Sequence, residues 1–411
     1  MRKFFAFAAI LAVLCFSVPA FATNGDNIIG VGAISRSMGG VGAAAPQDAI
    51  TAVFGNPAAM CYIPCQSSEV DFAATLFVPN RQATVTTGSP LPARSVTGEA
   101  KGLPYAFPAI GIYTPITPDL RFGLAAYGVS GLGVDYKDTA LKNSGVGAFD
   151  IKTDFQLMKF SPNLAYRILP NLSVGAALQI NWAQLDLGEG SAHTFSYGTQ
   201  LGAIYKPIDP LSIGVTWQSS QVNRYRRVYN FDAAFGSTTY DTLKLEQPQQ
   251  VVLGAGYDVI PNKLLVEVDE KWLNWADADG YKDFDWRDQY VTAVGVQYKP
   301  LNWLALRVGY NYGRNPVKAH NGWNPNGVTT VQGTKTPTAL YEGFRIVGFP
   351  AFPENHLTAG LGVKLNKKVS VNLGYVHAFK KALTESSAGN AITYSSYLEE
   401  NSYELGLNII F

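Results

Sequence analysis

The chain has 411 residues and a formal net charge of +1; 15% of it is Asp, Glu, Lys or Arg, 47% is hydrophobic, 12% is aromatic, and 40 residues are Gly. Balanced charge excludes the basic field that nucleic acid attracts, and so much apolar and aromatic surface excludes a disordered chain. Beyond the N-terminus the sequence has no run of about 20 apolar residues, which excludes a polytopic helical membrane protein. Low charge with abundant Gly, Tyr and Phe predicts a transmembrane β-barrel instead.

Arg2 and Lys3 precede an apolar stretch from Phe4 to Val18, and Pro19-Ala20-Phe21-Ala22 supplies the small-x-small pattern of signal cleavage. Residues 1–22 are therefore read as a cleaved signal peptide, leaving a mature chain from Thr23 with a net charge of about −1. Cys15 follows bulky Leu14, which a lipidation signal would not tolerate. Residues 23–68 lack strand alternation and are rich in Gly and Ala, as expected of an N-terminal plug. Cys61 and Cys65 frame Cys-Tyr-Ile-Pro-Cys in a compartment that permits disulfides, which favours a short bridge. A metal would need two further ligands, and His193, His320, His356 and His377 are scattered, so neither metal nor cofactor is expected.

Residues 69–411 resolve into fourteen alternating segments, beginning near Glu69, Pro104, Leu120, Ile151, Leu172, Ala192, Leu211, Leu243, Lys263, Gln289, Trp303, Glu354, Val369 and Ser402. The expected fold is all-β: an antiparallel 14-stranded barrel whose connections alternate strictly between short turns and long polar loops. In five short turns a Tyr (Tyr113, Tyr166, Tyr205, Tyr257, Tyr298) ends a strand before Pro with Asn or Asp reverses the chain, and Leu365-Asn-Lys-Lys-Val is the sixth turn. These Tyr suit an interfacial girdle. The short side is then periplasmic, and loops such as 314–353 are extracellular.

Strand parity agrees. Leu211, Ile213, Val215 and Trp217 share one face while Ser212, Gly214 and Thr216 share the other. The last segment places Tyr403, Leu405, Leu407, Ile409 and Phe411 on one face, the kind of end that outer-membrane assembly machinery reads. A soluble β-sandwich leaves the six turns at every second connection unexplained. The expected setting is the bacterial outer membrane, as a monomer among lipid and lipopolysaccharide.

Gly recurs on the inward face at Gly123, Gly175, Gly214, Gly254, Gly256, Gly295, Gly309, Gly360, Gly362, Gly374 and Gly406. A fourteen-strand barrel is too wide for its own side chains to fill. The plug is therefore predicted to occupy the lumen as a hatch.

The run from Asn27 to Met60, with its apolar Gly-rich stretch, Gln47-Asp48-Ala49 leading into a short helix, and the turn Asn56-Pro57-Ala58, resembles the hatch of the FadL-type long-chain fatty-acid outer-membrane transporters. The stretch from Leu120 to Tyr136, Leu306-Arg-Val-Gly-Tyr-Asn-Tyr312, Phe352-Pro-Glu-Asn-His and the stretch from Val369 to Tyr375 are similar to the same family. The Cys61/Cys65 pair departs from its pattern. The resemblance implies passive uptake of hydrophobic compounds, long-chain fatty acids or hydrocarbons: capture outside, passage beside the hatch, and release through a kinked strand into the outer leaflet.

Substrate-binding candidates are Ile28, Ile29, Val31, Ile34, Phe54 and the adaptable Met38, with packing of the plug as the competing role. Gly128, Ser130, Gly131 and Gly133 in the third strand are candidates for a lateral opening. Inward parity nominates Arg121, Arg307 and Lys364 for a carboxylate, against the commoner pairing with Glu267, Asp269 or Glu404. No nucleophile elbow and no His-centred grouping can be placed, so an enzyme is not expected. The alternatives are a general diffusion porin for small polar solutes and, behind it, an outer-membrane barrel enzyme.

Overall fold

The computed structural model describes residues 24–63, 67–102, 104–144 and 151–411. The signal peptide and Cys65 lie outside the described residues. Fourteen antiparallel strands form the wall: β1 Glu69–Thr87, β2 Tyr105–Pro115, β3 Leu120–Asp135, β4 Lys152–Leu169, β5 Leu172–Asp186, β6 Ser191–Ile208, β7 Leu211–Gln218, β8 Gln250–Ile260, β9 Leu264–Leu273, β10 Gln289–Leu301, β11 Leu304–Gly313, β12 Asn355–Lys364, β13 Val369–Ser386 and β14 Ile392–Ile410. Each pairs with the next, and β14 pairs with β1 from Glu69↔Ile410 to Thr87↔Ile392, which closes the barrel. Among the described residues no helix is long and apolar enough to cross a membrane. The wall crosses it with strands.

Alternation follows from which side each residue faces. Leu201, Val215, Leu253, Leu306, Leu373 and Leu405 are exposed on the outer surface, where lipid replaces water. Crossing takes about 9–11 tilted residues. β1 and β14 have 19 each, and β4, β6 and β13 have 18, so their far ends project on the long-loop side.

Four expectations are corrected here. Leu243 belongs to a separate hairpin, Gln221–Tyr229 with Asp241–Gln247, and the eighth wall strand begins at Gln250; the final strand begins at Ile392, well before Ser402. Both errors arise because these hairpins alternate outside the membrane as they would inside it. The connections 187–190 and 387–391 are tight, so short and long do not alternate strictly. There the projecting strands themselves serve as the extracellular structure. Tyr166, Tyr205, Tyr257 and Tyr298 are exposed at the rim, but Tyr113 is wholly buried because β2 turns its odd positions inward.

The plug fills the lumen. Gly32 precedes a single helical turn, α1 Ala33–Ser37; Asp48 caps α2 Ala49–Gly55 by accepting the Thr51 N–H at 3.0 Å; and Asn56 accepts the Ala58 N–H at 3.1 Å to start a tight turn Pro57–Cys61. Ten of the eleven inward glycines are where the wall admits it, while Gly362 faces Arg307 and Asn372 of the wall. A Cβ at Gly295 would lie 2.6 Å from the Met38 carbonyl oxygen and one at Gly175 would lie 2.5 Å from the Ala58 nitrogen. A fully packed interior has no such room to give. Gly39 is constrained doubly: its φ is +72°, and a Cβ there would lie 2.7 Å from the Tyr310 carbonyl oxygen.

Candidate functional site

Wall carboxylates hold the plug. Asp269 accepts from Gly42 N (2.9 Å) and Ala43 N (3.1 Å), and Glu267 accepts from Ala44 N (2.8 Å) and Ala45 N (2.9 Å). Glu69 and Asp71 take the N–H groups of Ala49 and Ile50, each at 3.1 Å, and Glu404 pairs with buried Arg36. The inward acids are thus engaged by the plug; Arg121, Arg307 and Lys364 form ion pairs with none of them.

The third strand leaves the wall. β2 and β3 are paired only from Ala109↔Tyr127 downward, and Pro108, which has no N–H to donate, stands just above the last pair. Beyond Tyr127 the alternation stops, and Gly128 to Val134 are buried on both faces. The register with β4 shifts between Gly128 and Ser130, a bulge at Val129 that aims the strand inward. Its free edge is taken by the start of the plug: Ile28 N–H donates to the Val129 carbonyl (3.1 Å), Gly131 N–H to the Asp26 carbonyl (3.2 Å), and Asn27 bridges Ser130. Above β2, Arg81 of β1 reaches across to the Gly133 carbonyl and to the Tyr105 hydroxyl at 3.1 Å. The result is a break in the pairing of β2 with β3, backed from inside by the plug and bounded above by the strand Arg94–Glu99 paired with β1.

On the extracellular side lies a cavity of about 370 Å³ with Leu187, Tyr229, Phe231, Phe284, Tyr341 and Phe344 in its lining. Its lysines are engaged, Lys137 with the Gly188 carbonyl and Lys152 with Asp186, both at 2.6 Å. One face comes from loop 314–354, which contains α3 Thr338–Gly343 and a wide turn Phe344–Gly348. Arg345 fastens that face. Its guanidinium donates to Glu342 (2.6 Å), Glu385 (2.9 Å), the Phe284 carbonyl (2.7 Å) and the Lys318 carbonyl (2.5 Å), and His320 joins Glu342 (3.0 Å) to Asp285 (2.9 Å). His320, Glu342 and Glu385 are near enough to one another to ligate a cation. Arg345 already supplies the positive charge there.

Between these places, a small space of about 30 Å³ lies at the plug edge beside Asn27, Ile28, Phe54 and Val129, with two lysines, Lys159 and Lys271. Lys159 is 3% exposed and donates to Gln179 (3.1 Å) and Gln218 (3.2 Å), with no carboxylate in contact among the described residues. No carboxylate of the described residues offsets the Lys159 charge, and burying an ammonium without one costs free energy that an anionic guest would offset.

Of the residues nominated from sequence, Ile28 and Phe54 border this small space, while Ile29, Val31 and Met38 are buried in plug packing. Ile34, Arg307 and Lys364 meet in a different cavity, at the periplasmic end. Arg121 donates to the carbonyls of its own turn, at Thr117 and Leu120. None of the nine lines the extracellular cavity. Sequence parity missed Lys159 and Lys271 because nothing local marks which inward lysine lacks an acid; the aromatic lining comes from loops that the strand period does not reach.

Comparison with known proteins follows the same geometry. The family described as outer membrane protein transport protein (OMPP1/FadL/TodX) matches residues 12–194 and 188–323. The toluene transporter TodX of P. putida superposes with a TM-score of 0.69 at 17% identity, covering 93% of this chain and 99% of that one. A FadL homologue of Pseudomonas aeruginosa gives 0.69 at 15% identity (96% and 100%), and the toluene transporter TbuX of Ralstonia pickettii gives 0.62 at 16% (91% and 98%). An uncharacterized protein in the phosphoenolpyruvate carboxykinase gene 5' region of Chlorobium limicola is 43% identical over 72 residues, 18% of this chain; the match spans about a third (35%) of that relative's length.

Proposed function

The chain belongs to the outer membrane protein transport family of FadL and TodX, and from that membership together with the geometry above we propose that it takes up hydrophobic compounds passively and releases them into the outer leaflet. The extracellular cavity captures the compound, the plug edge receives it, and the window between β2 and β3 releases it sideways into lipid. The observation that carries this is the free upper edge of β3, latched by Asp26, Asn27 and Ile28 of the plug.

The energetics suit a downhill route. An aromatic ring burying about 150 Å² in the extracellular cavity gains about 4 kcal/mol at about 25 cal/mol per Å² and returns it on entering lipid, so neither nucleotide nor metal is required. Lipopolysaccharide bars apolar molecules from direct insertion, which gives a side exit beneath it its value. Lys159 and Lys271 favour compounds with a carboxylate, such as long-chain fatty acids, over plain hydrocarbons. Residues 1–22 act as the signal peptide, 23–68 as the hatch and 69–411 as a barrel that works as a monomer and is inserted by outer-membrane assembly machinery. No catalytic role is assigned.

Uptake of labelled oleate and toluene by cells with and without the protein, alongside sugar-driven swelling of liposomes holding it, tests the proposal. Faster oleate uptake with no sugar flux supports it; sugar flux without any uptake difference identifies a general porin.

A further inference from the structure

At the short-turn end a second cavity of about 400 Å³ opens between the plug and the β10–β13 wall. Four cations line it, Lys299, Arg307, Lys364 and Lys367, and none of them forms an ion pair among the described residues. One acid, Glu69, lines the cup as well, with its carboxylate accepting the Ala49 N–H; Asp71 accepts that of Ile50, and Asp48 caps α2.

Arg307 is the built element. It is 8% exposed, its Nε donates to the Gln297 amide oxygen at 2.7 Å and its Nη1 to the Asn372 amide oxygen at 2.8 Å. Both acceptors are neutral, so they fix the guanidinium plane without cancelling its charge. They are themselves fixed, Gln297 by donating to Gln47 of the plug at 2.9 Å and Asn372 by donating to Asn408 at 2.5 Å. Nη2 has no hydrogen bond among the described residues. A planar fork held in this way is set up for the paired oxygens of a carboxylate or phosphate. Ile34, Ile63 and Ala305 add apolar surface to the same lining.

We propose that this periplasmic cup binds the carboxylate or phosphate headgroup of an anionic amphiphile, with Arg307 gripping the oxygens and Lys299, Lys364 and Lys367 supplying the field. The site is independent of the uptake route. A channel passing only neutral hydrocarbons would still possess it.

Full-length protein purified in dodecyl maltoside is titrated with octanoate, octyl phosphate and octanol, with Trp fluorescence as the readout, since Trp303 lines the cup. Octanoate and octyl phosphate are expected to saturate the wild type and to bind at least tenfold more weakly to Arg307→Gln and to the rim variant Lys364→Gln, with octanol unchanged in all three. Equal octanoate affinity in the wild type and Lys364→Gln, whose exposed side chain leaves folding intact, together with equal affinity in a folded Arg307→Gln, overturns the proposal. Nanodiscs separate the sources of the headgroup. Weaker octanoate binding in phosphatidylglycerol than in phosphatidylcholine discs identifies lipid as the occupant, and equal binding in both identifies a free amphiphile.

Discussion

Asp269 Oδ2 accepts the backbone N–H of Gly42 at 2.9 Å, joining the ninth wall strand to the middle of the plug. With Ala43 on the same oxygen and Ala44 and Ala45 on Glu267, two carboxylates serve four consecutive amides. Each buried N–H left without an acceptor costs about 1–3 kcal/mol. The double variant Glu267→Ala/Asp269→Ala is therefore expected to unseat this part of the plug, and sugar-driven liposome swelling should rise well above wild type. Asp269→Asn, which keeps an acceptor oxygen, should stay closed. Swelling of the double variant no faster than wild type would show that these bonds do not hold the plug.

Gly309 faces the backbone of Met38 and Gly39. Gly309→Val forces side-chain atoms into that contact and is expected to destabilise the protein by about 1–3 kcal/mol, as overpacking does in a filled core. Thermal unfolding followed by electrophoretic heat-modifiability should move to lower temperature, while Leu306→Val on the lipid face should shift little.

The loops beside the extracellular cavity respond to pH through His320. Glu342 at its Nδ1 holds the imidazole pKa above its ordinary value, against burial and the Arg345 charge. Burial pushes Asp285 up, but Lys318 and His320 bring it below the usual range; Glu342, also raised by burial, is brought below its own by His320 and Arg345. The raised imidazole contributes stability that is complete below its ordinary value and fades as pH rises through its raised one. The depressed carboxylates contribute above their ordinary values and fade as pH falls through the lowered ones. The clamp is thus tightest between these limits. Hydrogen exchange in 314–353 should accelerate as pH is raised from about 6 to about 8.5 after correction for intrinsic rates, and His320→Phe should reduce the dependence, leaving the part due to Glu385, whose carboxyl pKa is pushed up to about 7 by burial. A flat wild-type profile would count against the clamp.

Lys159 stands among Gln179 and Gln218 with no acid in contact among the described residues. Lys159→Met keeps the apolar stem and removes the charge, so oleate uptake should fall about tenfold, equivalent to about 1.4 kcal/mol, while toluene uptake holds or rises. Equal loss of both would assign Lys159 a structural role.

Much of the barrel was legible because lipid imposes a two-residue period on every crossing strand, and because plug and wall left a shared signature in the glycines: Gly295 or Gly175 is intelligible only once Met38 or Ala58 lies against it. The start of β8 was misplaced at Leu243 because that residue alternates in an extracellular hairpin whose inner face is buried by loops rather than by the plug. Tyr113 carries the girdle residue type, yet β2 has the parity that turns it inward, and no turn motif reveals parity. The glycines of β3 flagged a bend, whereas its consequence, a strand edge paired with Asn27 some hundred residues away, depends on contacts that no local pattern encodes. The cation-lined cup joins Lys299, Arg307 and Lys364 from three strands, and only their closure side by side brings them together.

The latch between plug and third strand is the step on which lateral release depends, and cross-linking tests it most directly. Asn27→Cys and Ser130→Cys place thiols on an antiparallel bridge pair. Labelled oleate uptake by cells carrying the double variant should drop to the level of cells lacking the protein under oxidising conditions and recover on reduction, with either single variant unaffected. Full-rate uptake through a demonstrably cross-linked protein would contradict release through this window.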